Sequence, residues 1–275
     1  MNSANLVTLD TDQLKAYLRE HLERDFMLID VRQPDEYSRL HIPGAQLVPF
    51  PLLEEEIPNL PKDKTLIFTC RSGIRSRAAA TLVWEALGKS VSILNHSGGI
   101  LSWDGKTLSN RPKVRAFGDL NDFTMVLTSG IDMEKGAWIF YHHVLECFPQ
   151  ASFREAFVSL AQAEENHALA LYNLLRKRDQ NLPDFTTMFA TAKGQVLEGG
   201  AILQEEIDKL SRPESDDPIT ILEMALDIEY TAYELYRHGA EMTSDPEVKR
   251  ILYGIADAEK THMRSLSTAF HDLNQ

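Results

Sequence analysis

Cysteine is scarce in this chain of 275 residues, which contains only Cys70 and Cys147. A disulfide framework needs several paired cysteines, and a four-cysteine zinc site or a rubredoxin-type iron site needs four thiolates at paired spacings. The composition therefore excludes all three kinds of site and favours a reducing compartment.

Long apolar segments are missing as well. No run reaches the roughly 18 apolar residues that a membrane-spanning helix requires. The opening residues, MNSANLVTLDTDQLK, lack the basic segment and apolar stretch of a secretory signal peptide. We therefore expect a cytoplasmic protein with no membrane partner.

Positive charge is sparse in the second part of the chain. Residues 116–275 contain 13 Lys and Arg against 27 Asp and Glu, whereas residues 1–115 contain 15 and 14. Most of these carboxylates are expected on a solvated helical surface. Such an acidic surface argues against nucleic acid as a partner.

The pattern of apolar residues divides the chain into two predicted domains. Three short runs, 26–31, 65–70 and 90–95, read as strands separated by turns and a helical segment, which predicts a parallel α/β domain over residues 1–110. Beyond a polar link, four segments of helical periodicity predict an all-α, ferritin-like four-helix bundle over residues 119–275. Their approximate bounds are 122–147, 152–177, 217–241 and 246–270. The long crossover between the second and third helices contains one further helical pattern, AILQEEIDKL (201–210).

Cys70 stands where a predicted buried strand ends and a helix begins. In a parallel sheet this is the carboxyl edge, where ligands bind. Backbone N–H groups of the loop and the charges of Arg71 and Arg75 favour a thiolate, so the pattern predicts a cysteine nucleophile. A buried structural cysteine is the plainer alternative.

Three segments of the first domain resemble the signature segments of the rhodanese family: DVRQPDEYSRLHIPGA (30–45), CRSGIRS (70–76) and GGILSW (98–103). The resemblance implies that Cys70 takes a sulfane sulfur from a small donor such as thiosulfate or a persulfide, and passes it to a thiol or to cyanide. It also implies that Arg71, Arg75 and the loop residues hold the charge of the persulfide; the loop residues are Ser72, Gly73, Ile74 and Ser76. A cysteine phosphatase is the competing interpretation, but its loop places five residues between cysteine and arginine, and only four separate Cys70 from Arg75.

The second domain contains an internal duplication with an offset of 95 residues. Two Glu-x-x-His patterns, at Glu164 with His167 and at Glu259 with His262, are related by it, and each pair lies on one face of a predicted helix. The same offset relates three further pairs: Glu134 with Glu229, Tyr141 with Tyr236, and Asp122 with Asp217.

Glu134 and Glu229 lie in apolar stretches of their helices, where unpaired carboxylates would be very costly to bury. Metal ions compensate such charges. One glutamate from each of two helices, with Glu-x-x-His from the other two, is the ligand set of carboxylate-bridged dimetal bundles, and this set suits iron or manganese. The plainer alternative is that the repeat preserves surface glutamates. Tyr141 and Tyr236 share the glutamate face, where they either hydrogen-bond the ligands or only fill the core.

The four helices resemble the rubrerythrin branch of the ferritin-like superfamily. The resemblance implies two iron ions, with Glu164 and Glu259 as bridges, that react with peroxide or oxygen. It also implies a homodimer. Two features depart from the family: Ala232 stands where a further glutamate often follows the third-helix ligand, and the chain lacks a rubredoxin domain, so an external electron-donor protein is expected. The implied ligands are Glu134, Glu164, His167, Glu229, Glu259 and His262.

The sequence thus predicts a sulfurtransferase fused to a di-iron bundle. Two other classes stay open at this point. One is a rhodanese-type sulfur carrier or docking protein whose bundle is structural, and the other is a metal-binding sensor.

Overall fold

A computed structural model describes residues 6–210 and 217–273 of the chain. The chain divides into two compact units, Met1–Arg111 and Pro112–Gln275. Each unit has hydrophobic clusters of its own.

The first unit is a five-stranded parallel sheet with the strand order β1-β5-β4-β2-β3. Its strands are β1 (Val7–Leu9), β2 (Phe26–Asp30), β3 (Gln46–Leu47), β4 (Thr65–Thr69) and β5 (Ile93–His96). Its helices are α1 (Thr11–Glu20), α2 (Pro34–Arg39), α3 (Leu53–Glu56) and α4 (Ile74–Leu87).

The central strands are buried on both faces, which explains their nearly continuous apolar sequences. Successive residues of β2 point to opposite sides, so Met27 and Ile29 join one hydrophobic cluster while Phe26 and Leu28 join the other. The predicted parallel α/β fold is confirmed. Strands β1 and β3 were not predicted, because three and two residues are too few to show a periodic pattern.

The second unit contains four long helices, α5 (Phe123–Cys147), α6 (Arg154–Arg178), α9 (Pro218–Met242) and α10 (Pro246–Asp272). Asp122 and Asp217 cap α5 and α9 by accepting hydrogen bonds from backbone N–H groups of the first turn, at 3.0 and 3.2 Å. The predicted helical bundle is confirmed. The crossover contains the expected helix α8 (Leu203–Leu210) and a short helix that was not predicted, α7 (Phe185–Thr191).

Helix α5 packs on α6, α9 packs on α10, and α6 also contacts α10. The bundle interior has two hydrophobic clusters, and both draw residues from all four long helices. Small buried residues allow the long helices to approach closely; they include Ala137, Ala161, Ala232 and Ala256. No helix among the described residues has both the length and the apolar character needed to cross a membrane.

Candidate functional site

Cys70 follows β4 directly, at the carboxyl edge of the sheet. The residue is only 1% exposed, and its Sγ accepts a hydrogen bond of 3.1 Å from the backbone N–H of Gly73. Gly73 has a φ of +89°, and a Cβ there would lie 2.4 Å from the carbonyl oxygen of Ser97. A glycine is therefore required for the turn that carries Cys70 into helix α4.

A second segment, from Gly99 to Leu101, packs against the cysteine loop and donates hydrogen bonds to its backbone. The backbone N–H of Ile100 donates to the carbonyl of Cys70 at 2.8 Å, and that of Leu101 donates to the carbonyl of Arg71 at 3.1 Å. Gly99 has a φ of +59°, and a Cβ there would lie 2.4 Å from the Cys70 carbonyl oxygen. These two hydrogen bonds fix the backbone of the loop, whose Gly73 N–H donates to the sulfur.

Burial alone would raise the pKa of the Cys70 thiol. Hydrogen bonds from the Ser76 hydroxyl and from the backbone amides of Ser76, Ser72 and Gly73 oppose this effect, and the net result is a pKa below the ordinary value of a cysteine. The buried Ser76 hydroxyl has no hydrogen-bond partner other than the Cys70 sulfur among the described residues, so it is available to a thiolate or a persulfide. These donors favour the anionic form of the sulfur.

The two arginines of the loop differ in their surroundings. Arg75 donates two hydrogen bonds of 2.8 Å to Glu36, which is 39 residues away in sequence, and this contact lowers the pKa of Glu36 to about 2. The contact with Glu36 and the nearby charge of Cys70 raise the pKa of Arg75, so its guanidinium group stays protonated. Arg71 is exposed at the rim of the loop. Arg75 is thus a fixed charge near the sulfur, and Arg71 is open to solvent.

In the bundle, all six predicted ligands come together in one buried cluster. One group of donor atoms, within 4.8 Å of one another, comes from Glu134, Glu164, His167 and Glu198, and a second comes from Glu164, Glu229 and His262. Glu164 belongs to both groups. The carboxylates are buried completely, and the two histidines are at most 9% exposed.

Glu164 and Glu259 each lie between the two histidines. Glu259 places Oε1 at 3.3 Å from Nδ1 of His167 and Oε2 at 2.8 Å from Nδ1 of His262. Glu164 places its oxygens at 3.1 Å and 3.7 Å from the same two nitrogens. Two carboxylates that each face both imidazoles have the arrangement expected of ligands shared by two ions.

The two tyrosines make crossed contacts between the duplicated halves. The Tyr141 hydroxyl donates a hydrogen bond to Glu229, and the Tyr236 hydroxyl donates one to Glu134. Burial and the neighbouring carboxylates raise the pKa of both tyrosines well above the ordinary value, so both hydroxyls keep their protons. The tyrosine of each repeat therefore orients a glutamate carboxylate of the other repeat.

The ionisation of the cluster is strongly perturbed. Burial raises the pKa of Glu134 and of Glu164 to about 7, and it raises the pKa of Glu259 well above its ordinary value. Burial alone would lower the pKa of His167 and of His262, but the surrounding carboxylates raise both. Without metal, protons therefore partly neutralise the buried charge.

The residues fit a pair of metal ions. Several buried polar atoms of the cluster make no well-aligned hydrogen bond within the described part of the chain, although some of them lie close to an imidazole nitrogen, and leaving buried polar atoms unsatisfied is costly. These atoms are Oε2 of Glu134, both oxygens of Glu164, Nδ1 of His167, Oε2 of Glu198 and both oxygens of Glu259. Carboxylate oxygens with two imidazole nitrogens form a donor set that suits iron or manganese.

Sequence reasoning missed one member of the cluster, Glu198, which comes from the crossover between α6 and α9. Its signal in the sequence is weak, because it precedes Gly199 and Gly200 in a segment without helical periodicity. The duplication gives no help either, since the position 95 residues earlier is Trp103, which lies outside the bundle.

Comparisons with known proteins agree with this division of the chain. Residues 126–270 match the rubrerythrin family, and residues 12–106 match the rhodanese-like domain family. The second unit is thus a ferritin-like bundle with a carboxylate and histidine cluster. The chain belongs to the rubrerythrin family, and it carries a rhodanese-like domain ahead of the rubrerythrin domain.

Individual relatives match the first domain. A sulfurtransferase of Allochromatium vinosum is 34% identical over 96 residues, which cover 34% of this chain and 85% of that protein. A probable adenylyltransferase/sulfurtransferase MoeZ of Mycobacterium tuberculosis is 41% identical over 90 residues, which cover 31% of this chain but only 22% of that protein. A rhodanese-like domain protein of Staphylococcus aureus, known from its crystal structure, is 24% identical and covers 38% of this chain and 99% of that chain, with a TM-score of 0.35.

The support of the cysteine loop by Gly99 yields a testable prediction. Gly99→Ala forces a Cβ against the Cys70 carbonyl, so we expect the loop to shift and the pKa of the thiol to rise. The pH dependence of Cys70 alkylation, measured with Cys147→Ser in the background, reports this change.

Gly88→Ala is the matched control, because Gly88 also has a positive φ, of +71°, but an added Cβ meets nothing within 4 Å. The control should lose about 1–3 kcal/mol of stability from backbone strain alone and keep the reactivity of Cys70. Equal effects of the two substitutions on stability and on alkylation would contradict the role assigned to Gly99.

Proposed function

We propose that the protein has two activities: sulfur transfer through a persulfide on Cys70, and reaction of a carboxylate-bridged di-iron centre with peroxide or oxygen. For the first activity, the carrying observation is a buried thiol surrounded by hydrogen-bond donors at the edge of a rhodanese-like sheet. For the second, it is the cluster of buried carboxylate oxygens without hydrogen-bond partners among the described residues.

In the first half-reaction, the Cys70 thiolate attacks the outer sulfur of a donor such as thiosulfate. A bond forms between Sγ and that sulfur, the sulfur–sulfur bond of the donor breaks, and sulfite leaves with the electron pair. The persulfide that results is an anion. Backbone N–H groups, the Ser76 hydroxyl and the nearby charge of Arg75 stabilise it, as the same donors favour the thiolate.

In the second half-reaction, a thiolate or cyanide attacks the terminal sulfur of the persulfide. The bond between that sulfur and Sγ breaks, and Cys70 leaves as the thiolate, ready for another cycle. Because Cys70 is only 1% exposed, the loop favours a sulfur carried at the tip of a small or slender molecule. Exposed Arg71 is placed to meet an anionic donor at the rim.

The sulfur-transfer proposal predicts that Cys70→Ala lowers thiocyanate formation from thiosulfate and cyanide by at least about 1,000-fold, because the nucleophile is lost. Cys147→Ala is the matched control, since Cys147 is exposed and lies in the other unit. The control should retain full activity. Undiminished turnover in Cys70→Ala would rule out the persulfide on this residue.

In the bundle, the six predicted ligands would hold two iron ions, with Glu164 and Glu259 between them; manganese is the alternative metal. When bound, the metals supply electrons to peroxide or oxygen as they cycle between ferrous and ferric states. Tyr141 and Tyr236 hold the carboxylates of Glu229 and Glu134 in place through their hydroxyl protons. With only two cysteines in the chain, the reductant is an external electron-donor protein.

The metal centre is tested by metal content per chain in protein purified without oxygen. We expect about two irons in the wild type and loss of metal in Glu164→Ala and in Glu259→Ala, because each removes a ligand facing both histidines. Peroxide consumption should fall with the metal.

Glu165→Ala is the matched control, since Glu165 is the next residue of α6, is partly exposed and lies outside the cluster. It should keep both irons and the full rate of peroxide consumption. A wild type that binds neither iron nor manganese after reconstitution would show that the bundle is structural.

A further inference from the structure

Glu198 is the one carboxylate of the described metal cluster that does not come from a long helix. It is completely buried, its Oε1 is 3.4 Å from the hydroxyl oxygen of Tyr236, and its Oε2 has no hydrogen-bond partner among the described residues. Its donor atom lies within 4.8 Å of those of Glu134, Glu164 and His167. A carboxylate oxygen without a partner so deep in the protein is costly unless a cation faces it.

The loop around Glu198 is tightly built. The segment closes through an antiparallel bridge between Val196 and Ile202, and the N–H of Leu197 donates to the carbonyl of Ala201 at 2.8 Å. Gly199 and Gly200 both have positive φ angles, of +76° and +78°. The two glycines turn the chain immediately after Glu198, which brings this side chain to the interior.

Helix α9 forms one wall against this loop. A Cβ on Gly199 would lie 2.2 Å from Oγ1 of Thr231, so the loop lies directly against the helix one residue before Ala232. Ala232 is completely buried and has no side-chain oxygen of its own. The loop therefore places its carboxylate beside α9, close to a buried position of the helix, Ala232, that has no side-chain oxygen.

Helix α5 anchors the other side of the loop. Oδ1 of Asp132 accepts hydrogen bonds from the backbone N–H groups of Lys193 and Gly194, at 2.8 and 3.1 Å. A Cβ on Gly136 would lie 2.5 Å from the carbonyl oxygen of Val196. Asp132 and Gly136 lie on either side of Glu134 in sequence, so the crossover docks on the part of α5 that carries this ligand.

Glu198 also breaks the symmetry of the duplicated bundle. Three pairs of ligands are related by the offset of 95 residues, whereas Glu198 has no counterpart in the bundle. The donor group that contains Glu134 consequently has four members, and the group that contains Glu229 has three. The two donor groups differ because the crossover contributes to only one of them.

From this arrangement we propose that Glu198 is a seventh metal ligand, delivered by the crossover to the metal position beside Glu134 and His167. The proposal rests on the dimetal centre proposed above and adds to it an unequal pair of sites. The position with Glu198 has an additional anionic oxygen donor, so it should bind a divalent ion more tightly than the other position.

The test is an anaerobic titration of the metal-free full-length chain with Fe(II), followed by calorimetry and by metal content per chain. The wild type should bind two ions in two steps of different affinity. Glu198→Gln should weaken the tighter step by about 10- to 100-fold, and Glu198→Ala should weaken it at least as much. Glu205→Gln is the matched control, because Glu205 is an exposed glutamate farther along the same crossover, and it should leave both steps unchanged.

Thermal unfolding of the same proteins without metal separates a ligand from a structural residue. Glu198→Gln replaces a buried carboxyl group by a neutral amide of similar size, so the metal-free variant should unfold at the same temperature as the wild type or a higher one, and it should gain less when Fe(II) is added. Two unchanged binding steps in Glu198→Gln and Glu198→Ala would overturn the role of Glu198 while leaving the dimetal centre intact. A lower unfolding temperature of metal-free Glu198→Gln would also overturn it, in favour of a structural role. A wild type without bound metal would overturn the dimetal centre itself.

Discussion

The cost of burying carboxylates without partners is the constraint on which the second domain depends. Five glutamates, Glu134, Glu164, Glu198, Glu229 and Glu259, are completely buried around His167 and His262, and hydrogen bonds among the described residues satisfy only part of their oxygens. Protons reduce the charge when no metal is bound, as the raised pKa values of several of these carboxylates show. Metal cations also neutralise this charge, and they do so by binding the carboxylate oxygens as ligands. The hydrophobic clusters, the crossed tyrosine contacts and the docked crossover all hold this charged cluster in place.

In the first domain, hydrogen-bond donors of the protein favour an anionic sulfur. Segments distant in sequence build the site: one carries Cys70 and Arg75, a second supports the loop through Gly99, and a third supplies Glu36 to fix Arg75. Burial would disfavour a charged sulfur, but the Ser76 hydroxyl and several backbone N–H groups reverse this effect. In both domains, glycine allows two backbone segments to approach closely. These approaches bring together charged or polar groups from different helices, strands and loops.

Much of the fold could be predicted from the sequence, because its signals are local. The buried strands are nearly uninterrupted apolar runs. The duplication of the long helical segments indicated six residues, and the structure brings these six together in one buried cluster. Their roles as ligands stay predictions. Glu198 could not be found in this way, since its burial depends on contacts of its loop with Asp132, Gly136 and Thr231, which are far away in sequence. The pairing of Arg75 with Glu36 was missed for the same reason.

The need of the buried carboxylates for cations is the central claim. The most direct measurement is the thermal unfolding of the bundle in the metal-free full-length chain, recorded without oxygen before and after addition of Fe(II) or Mn(II). Ions that bind only the folded state raise its stability in proportion to the logarithm of their concentration above Kd. We predict an unfolding temperature that rises with metal concentration. An unfolding temperature that both metals leave unchanged would contradict the claim.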